Sequence, residues 1–260
     1  MAFGKPMNIL AIGDVVGAAG TDYLRRVLPR LKREYAVDFC VVNGENSAPG
    51  NGVTPESAGE LFSVGADVIT TGNHVYRRRE IYNFLDENPR ILRPVNIPAQ
   101  NPGVGCVTLD LGAVHVTVVN LLGMNGIACN QSNPFEAADA VLRKPDLGFV
   151  LLDIHAESTA EKCALGHYLD GKVSAVFGTH THVQTADAQI LQQGTGYITD
   201  LGMCGAKKSV LGVEVDDAIS FLSTGMPTRF HQAEGECILT GCLFTLDGAG
   251  KCTQIETVRT

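Results

Sequence analysis

An excess of positive charge is missing from this sequence. Its 20 Lys and Arg face 28 Asp and Glu, a formal net charge of −8. That balance argues against a protein that grips nucleic acid through bulk basic charge. It leaves room for a small anionic ligand, because bound cations can invert the local sign. Long apolar runs are also missing. None reaches the roughly 18 residues that a membrane-spanning helix requires. Met1 to Met7 contains no apolar stretch ahead of the first expected strand, so it does not read as a signal peptide. No C-x-x-C pair occurs among the eight cysteines. With no export signal and a chain of 260 residues, reduced thiols in the cytoplasm are expected rather than a disulfide framework. Cys237 and Cys242 lie in an apolar run and read as core packing. Neither an internal repeat nor a low-complexity linker interrupts the chain, so 1–260 is expected to form one domain.

Hydrophobic residues make up 45% and charged residues 18%, enough to build a sizeable core. Short apolar runs alternate with amphipathic stretches. Strands are expected at Ile9 to Ile12, Phe39 to Val42, Val68 to Thr70, Phe149 to Ile154 and Ser174 to Phe177. Helices are expected from about Asp22 to Tyr35, with Pro29 as a kink, and from Thr54-Pro55 to Val64. Two more span about Glu80 to Leu85 and Thr159 to Leu169. Gly105 to Leu121 reads as a hairpin about Gly112, and Cys237 to Val258 as two strands joined at Asp247-Gly248. The layout predicts an α/β fold of two packed sheets flanked by helices.

The informative residues are those that follow the strands. Asp14 follows the first, within GDVVG, and Asn43-Gly44-Glu45-Asn46 follows the second. Gly72-Asn73-His74, His155-Ala156-Glu157 and Gly178-Thr179-His180-Thr181-His182 follow the next three. Ligands bind at the carboxyl ends of strands in α/β sheets. Singly, Asp14 reads as a turn or cap residue, Asn73 as a turn residue and His155 as a core histidine with a satisfied hydrogen bond. Together they read as a two-metal site, and the His180-x-His182 spacing suits two imidazoles on one side of extended chain. His115, His167 and His231 read as ordinary hairpin, helix and loop residues. Gly13, Gly17 and Gly20 follow a strand in the spacing G-x-x-x-G-x-x-G, a poor match to a dinucleotide fingerprint. A nicotinamide oxidoreductase is therefore a minor alternative.

The series GDVVG, NGEN, TGNH, DIHAE and GTHTHVQTAD resembles the YmdB-like family of calcineurin-type metallophosphoesterases, from Met7 to about Val258. The resemblance implies an α/β/β/α sandwich with two mixed sheets. It implies hydrolysis of cyclic nucleotides, 2′,3′-cyclic in the first instance and 3′,5′-cyclic as a further possibility. It implies one metal held by Asp14, Glu45, Asn46 and His182 and a second by Glu45, Asn73, His155 and His180, with Glu45 bridging. His74 would protonate the leaving group. Iron or manganese would be the metals, with zinc also compatible, and the substrate a small phosphodiester. No separate organic cofactor and no membrane partner are expected.

The implied set makes chemical sense. Two ions can lower the pKa of a shared water and clamp phosphate oxygens. Four positive charges, less Asp14, Glu45 and a hydroxide, leave +1 to meet a phosphodiester of −1. A homo-oligomer is also implied, and Gly196 to Gly205 would offer an interface. The chain departs from the family pattern at Pro49, Tyr76-Arg77, Leu122-Gly123-Met124 and Ala206-Lys207-Lys208, loops taken to rim the pocket. A metal-dependent regulatory protein that holds a nucleotide without turnover is the alternative from another class.

Overall fold

Two apolar faces on nearly every central strand require two layers of cover. A computed structural model of the chain, which describes residues 5–260, shows what supplies them. The reading of the chain start as lacking a signal peptide rests partly on residues 1–4, outside the described residues. The first sheet contains β1 (Met7–Ile12), β2 (Asp14–Val15), β3 (Phe39–Asn43), β4 (Val68–Thr70) and β5 (Ile91–Leu92). The second contains β6 (Cys106–Asp110), β7 (His115–Leu122), β8 (Phe149–His155), β9 (Ala175–Thr179), β10 (Gln189–Ile190) and β11 (Gly196–Ile198). The chain then returns to the first sheet with β12 (Met203–Ala206), β13 (Cys237–Leu246) and β14 (Cys252–Arg259). The orders are β2-β12-β13-β1-β3-β4-β5, with β14 on β13, and β10-β11-β9-β8-β7-β6. Both sheets are mixed. β1, β3, β4 and β5 run parallel, as do β7, β8 and β9, while β13 and β6 are antiparallel to their neighbours.

Side-chain alternation sorts the core into three layers. Ile9, Ala11, Phe39, Val41 and Val68 of the first sheet meet Val116, Val118, Leu151, Ala175 and Phe177 of the second. The opposite rows, Leu10, Ile12, Cys40, Val42 and Ile69, are covered by helices α1 (Gly17–Glu34), α2 (Pro55–Ser63) and α3 (Ile81–Glu87). Val119, Leu121, Val150, Leu152 and Ile154 are covered by α4 (Pro134–Leu142) and α5 (Thr159–Leu169). Full burial of such side chains is worth roughly 1.5–3 kcal/mol each. The result is the expected α/β/β/α sandwich.

Some expectations are corrected. The first helix starts at Gly17 rather than Asp22 and runs unbroken through Pro29. α4 and α6 (Val215–Thr224) lie in stretches to which no element was assigned. α4 nonetheless carries the same start signal as α2, a side-chain cap at Asn133 followed by Pro134. Gly196 to Gly205 is buried throughout, in β11, β12 and their connection, so it cannot serve as an interface. All eight cysteines are unpaired, and Cys237 and Cys242 are buried as expected.

Candidate active site

The row of side chains between the sheets turns from apolar to polar at one end. It runs Phe39, Val41, Asn43 on β3 and Val68, Thr70 on β4. Opposite run Phe149, Leu151, Asp153, His155 on β8 and Ala175, Phe177, Thr179 on β9. Beyond these carboxyl ends β2 delivers Asp14, and loops deliver Glu45, Asn46, Asn73, His74, His180 and His182. Both sheets therefore contribute to one site.

The expected residues do come together. His155 Nε2 lies 2.9 Å from Glu45 Oε1, 3.1 Å from Asn73 Oδ1 and 3.0 Å from His180 Nδ1. Nearby, His182 Nε2 lies 3.5 Å from Asp14 Oδ1 and 3.2 Å from Asn46 Nδ2. Asp14 Oδ1 is buried and has no hydrogen-bond partner, while Oδ2 accepts from His180 N at 3.0 Å. Glu45 Oε2 accepts from His74 N at 3.0 Å. His74 Nδ1 sits 3.1 Å from Asn46 Oδ1, and its side chain is 31% exposed. Asn46 is the one expected ligand whose oxygen faces elsewhere. A half-turn of its amide would bring the oxygen to His182 and Glu45 and its NH₂ to His74.

Each expected histidine ligand has its outer nitrogen occupied. His155 Nδ1 meets Thr179 Oγ1 at 2.9 Å. His180 Nε2 meets Glu157 Oε2 at 3.2 Å. His182 Nδ1 donates to Leu211 O at 2.9 Å. With the outer nitrogens so engaged, each ring in its neutral form can turn a lone pair inward, the arrangement metal-binding histidines adopt. His180 and His182 also have left-handed backbones, φ 99° and 63°. Such conformations are costly outside glycine and persist where surroundings enforce them. Asp200, in a buried ion pair with Lys162 at 2.7 Å, accepts from Thr181 N between them.

The electrostatics are set by burial and by coupling between carboxylates and imidazoles. Burial opposes charge on Asp14, but His182 and His155 outweigh it and hold the carboxyl far below the usual range. Glu45 is likewise lowered, burial being outweighed by His155 and His74. Burial pushes the His180 imidazole down to about 4, with His155 adding to the effect. Burial also works against charge on His155, yet Glu45 above all raises it to about 9. Three acceptor atoms thus crowd one imidazole N–H. Oxygen and imidazole donors of this kind suit a divalent transition metal. Glu45, His155 and His180 present ligand atoms all within 4.8 Å of one another.

The His155 proton has a measurable consequence. Its folded pKa lies above the unfolded 6.5, so the proton's stabilising contribution is complete below about 6.5 and lost as pH rises through about 9. A metal must displace that proton. Mn²⁺ binding to chelator-stripped protein at pH 7.5 is therefore expected to release a proton. Titration calorimetry in buffers of different ionisation enthalpy reads it, and a buffer-independent heat would contradict it.

A match to the family model described as YmdB-like protein spans residues 10–258. The chain belongs to this YmdB-like family. It is similar to a Bacillus subtilis (strain 168) protein named 2′,3′-cyclic-nucleotide 2′-phosphodiesterase. The two are 42% identical over 97% of this chain and 96% of the relative. Among solved structures it resembles a hypothetical protein from Thermus thermophilus. Identity there is 36%, coverage 98% and 99%, and the TM-score 0.92. A Mycoplasma pneumoniae protein described as a novel phosphatase is 31% identical, with coverage 98% and 94% and a TM-score of 0.94.

His115, His167 and His231 lie apart from the cluster, His231 paired with Asp217 at 2.8 Å. The glycines of the nicotinamide alternative are occupied by packing. A Cβ on Gly13 would fall 2.2 Å from Gly202 O, and one on Gly20 2.2 Å from Cys204 O. Sequence reasoning assigned no role to Asn43, Thr70, Asp153 or Thr179. Their position in the inter-sheet rows was the available signal.

Proposed function

We propose that this chain is a metal-dependent phosphodiesterase that hydrolyses 2′,3′-cyclic nucleotides, with its single domain organised around two divalent ions. The observation that carries the reading is the convergence of Glu45, Asn73, His155 and His180 on one point, with Asp14 Oδ1 beside them lacking a hydrogen-bond partner. The name of the Bacillus relative supports the substrate class; 3′,5′-cyclic nucleotides are the next to assay.

One ion is assigned to Asp14, Glu45, Asn46 and His182 and the other to Glu45, Asn73, His155 and His180. Iron or manganese suits the mixed O and N donors best, and zinc also fits them. Bound there, two ions supply charge neutralisation for the phosphate and a water of lowered pKa. The chain's residues do the rest. Glu45 has two oxygens and can bridge. Asn46 and Asn73 bring neutral oxygens, which keeps the site from repelling an anion. With the Asn46 amide turned so that its oxygen faces the metal position, its NH₂ would donate to His74 Nδ1, leaving the His74 proton on Nε2 to face the departing ribose oxygen. Arg78 ties its loop to the neighbouring one through Pro49 O and Asn51 O.

Elemental analysis of protein purified without chelator should give about two transition-metal ions per chain. Mn²⁺-loaded protein should hydrolyse a 2′,3′-cyclic nucleotide. Trace metal with no Mn²⁺ uptake would sink the dimetal assignment. Nucleotide binding without hydrolysis would favour a regulatory role.

Among the described residues, no helix is long and apolar enough to cross a membrane. Eight unpaired cysteines suit a reducing, cytoplasmic setting. Ile219, Leu222, Met226 and Phe230 on α6 and the loop after it are exposed, and such a patch suits a homo-oligomer. A solution mass near the single-chain 27.6 kDa by light scattering would contradict that.

A further inference from the structure

We infer that Asp153 and Thr179 are positioning residues that fix which ring nitrogen of His155 faces the site. The inference rests on the metal-site reading above. Asp153 is fully buried between the sheets, and no Lys or Arg pairs with it among the described residues. A carboxyl in such a place is costly unless hydrogen bonds satisfy it. Three do. Its Oδ1 accepts from Thr179 Oγ1 at 2.7 Å. Its Oδ2 accepts from Thr70 Oγ1 at 2.5 Å and from Asn43 Nδ2 at 3.2 Å.

The direction of one bond determines the next. A threonine hydroxyl has a single proton. Thr179 commits it to Asp153, so towards His155 it can only accept. His155 Nδ1 must therefore carry a proton, donated to Thr179 at 2.9 Å. The nitrogen left to offer a lone pair is Nε2, the atom that faces Glu45, Asn73 and His180. Without the Asp153 acceptor, the hydroxyl can rotate and donate to Nδ1. The neutral ring would then carry its proton on Nε2, aimed at the ion. Metal sites often fix a histidine tautomer with a carboxylate directly. Here a threonine stands between the two.

The same network sets the spacing across the site. Asn43 and Thr70 belong to the first sheet, Asp153, His155 and Thr179 to the second. Asn43 Oδ1 also accepts from Glu45 N at 3.1 Å. One asparagine thus joins the Asp153 carboxyl to the backbone of the bridging glutamate. Glu45 and His155, carried by different sheets, are held at a fixed separation.

The test uses the full chain, stripped by chelator, with Mn²⁺ as probe. Thr179→Val removes the hydroxyl at nearly constant size. It is expected to weaken one of two Mn²⁺ sites about 10–100-fold, the usual worth of such outer partners, and leave the other unchanged. Thr179→Ser restores the hydroxyl and should bind within about threefold of wild type. Asp153→Asn should weaken the same site by an intermediate factor, because its amide must turn NH₂ towards one of three donors. Calorimetric isotherms read the sites, and circular dichroism checks folding. Wild-type binding at both sites in Thr179→Val or Asp153→Asn would overturn the inference. So would a serine variant as weak as valine, which would point to packing. Wild-type protein that takes up no Mn²⁺ would instead overturn the metal-site reading, and this inference with it.

Discussion

Replacing His74 with alanine is expected to slow 2′,3′-cyclic-nucleotide hydrolysis by about 10²–10⁴, the range typical of a lost general acid. Two ions should remain bound. His74 is the most exposed histidine of the cluster, its backbone N–H anchored on Glu45 and its Nδ1 on Asn46. Neither contact uses Nε2, which is free to face a substrate. Proton donation matters most for a poor leaving group such as a ribose hydroxyl. A nitrophenolate departs without help, so bis-nitrophenyl phosphate hydrolysis should fall less than about tenfold. Asp14→Ala provides the contrast. Its loss removes an expected ligand and should damage both reactions alike. The measurement is the ratio of the two turnover rates in each variant at saturating Mn²⁺. Equal losses on both substrates in His74→Ala would assign His74 a different task, such as holding the phosphate.

What the sequence displayed and what it concealed divide along physical lines. The central strands stood out because two-sided burial makes them continuous apolar runs, and Val68–Thr70 and Thr159–Leu169 have the bounds expected of them. The site residues stood out because polar groups and glycines follow those runs abruptly. α6 was concealed because its apolar residues face outward. Only Ala218 of that helix is buried, so its pattern reports no core. Gly196 to Gly205 misled for the opposite reason. Small and apolar residues there fit two short strands into the interior instead of forming a contact surface. The Asp153 network was concealed by its composition. Threonine is an ordinary strand residue, asparagine and aspartate read as strand-end residues, and the purpose of all four depends on partners up to 136 positions apart, as between Asn43 and Thr179. The left-handed backbones of His180 and His182 were likewise beyond a sequence pattern. The extended His-x-His spacing pointed to a shared side for the two rings, whereas the chain turns at both residues to bring them inward.

Gly72→Ala should abolish metal binding at the His155 position without unfolding the protein. A Cβ at residue 72 would lie 2.1 Å from His155 Cδ2, 2.3 Å from its Nε2 and 2.4 Å from Glu45 Oε2. Something must move, and neither neighbour moves freely. His155 is fully buried and held through Nδ1 by Thr179; Glu45 Oε2 is held by His74 N. Displacing either group takes away a donor assigned to the ion. The backbone itself has no objection, because Gly72 is not among the residues with positive φ. The substitution therefore tests space at the site rather than backbone strain. Loss of an ion that stabilises charge in the transition state is worth several kcal/mol, so turnover should fall on the order of 10³ or more. Gly59→Ala is the matched control. It lies within α2 with nothing within 4 Å of a Cβ, and it should stabilise the helix by up to about 1 kcal/mol. Metal per chain, turnover and circular dichroism on both variants give the comparison. A folded Gly72→Ala protein that still binds two ions at wild-type affinity would place the metal centre somewhere other than between Glu45 and His155.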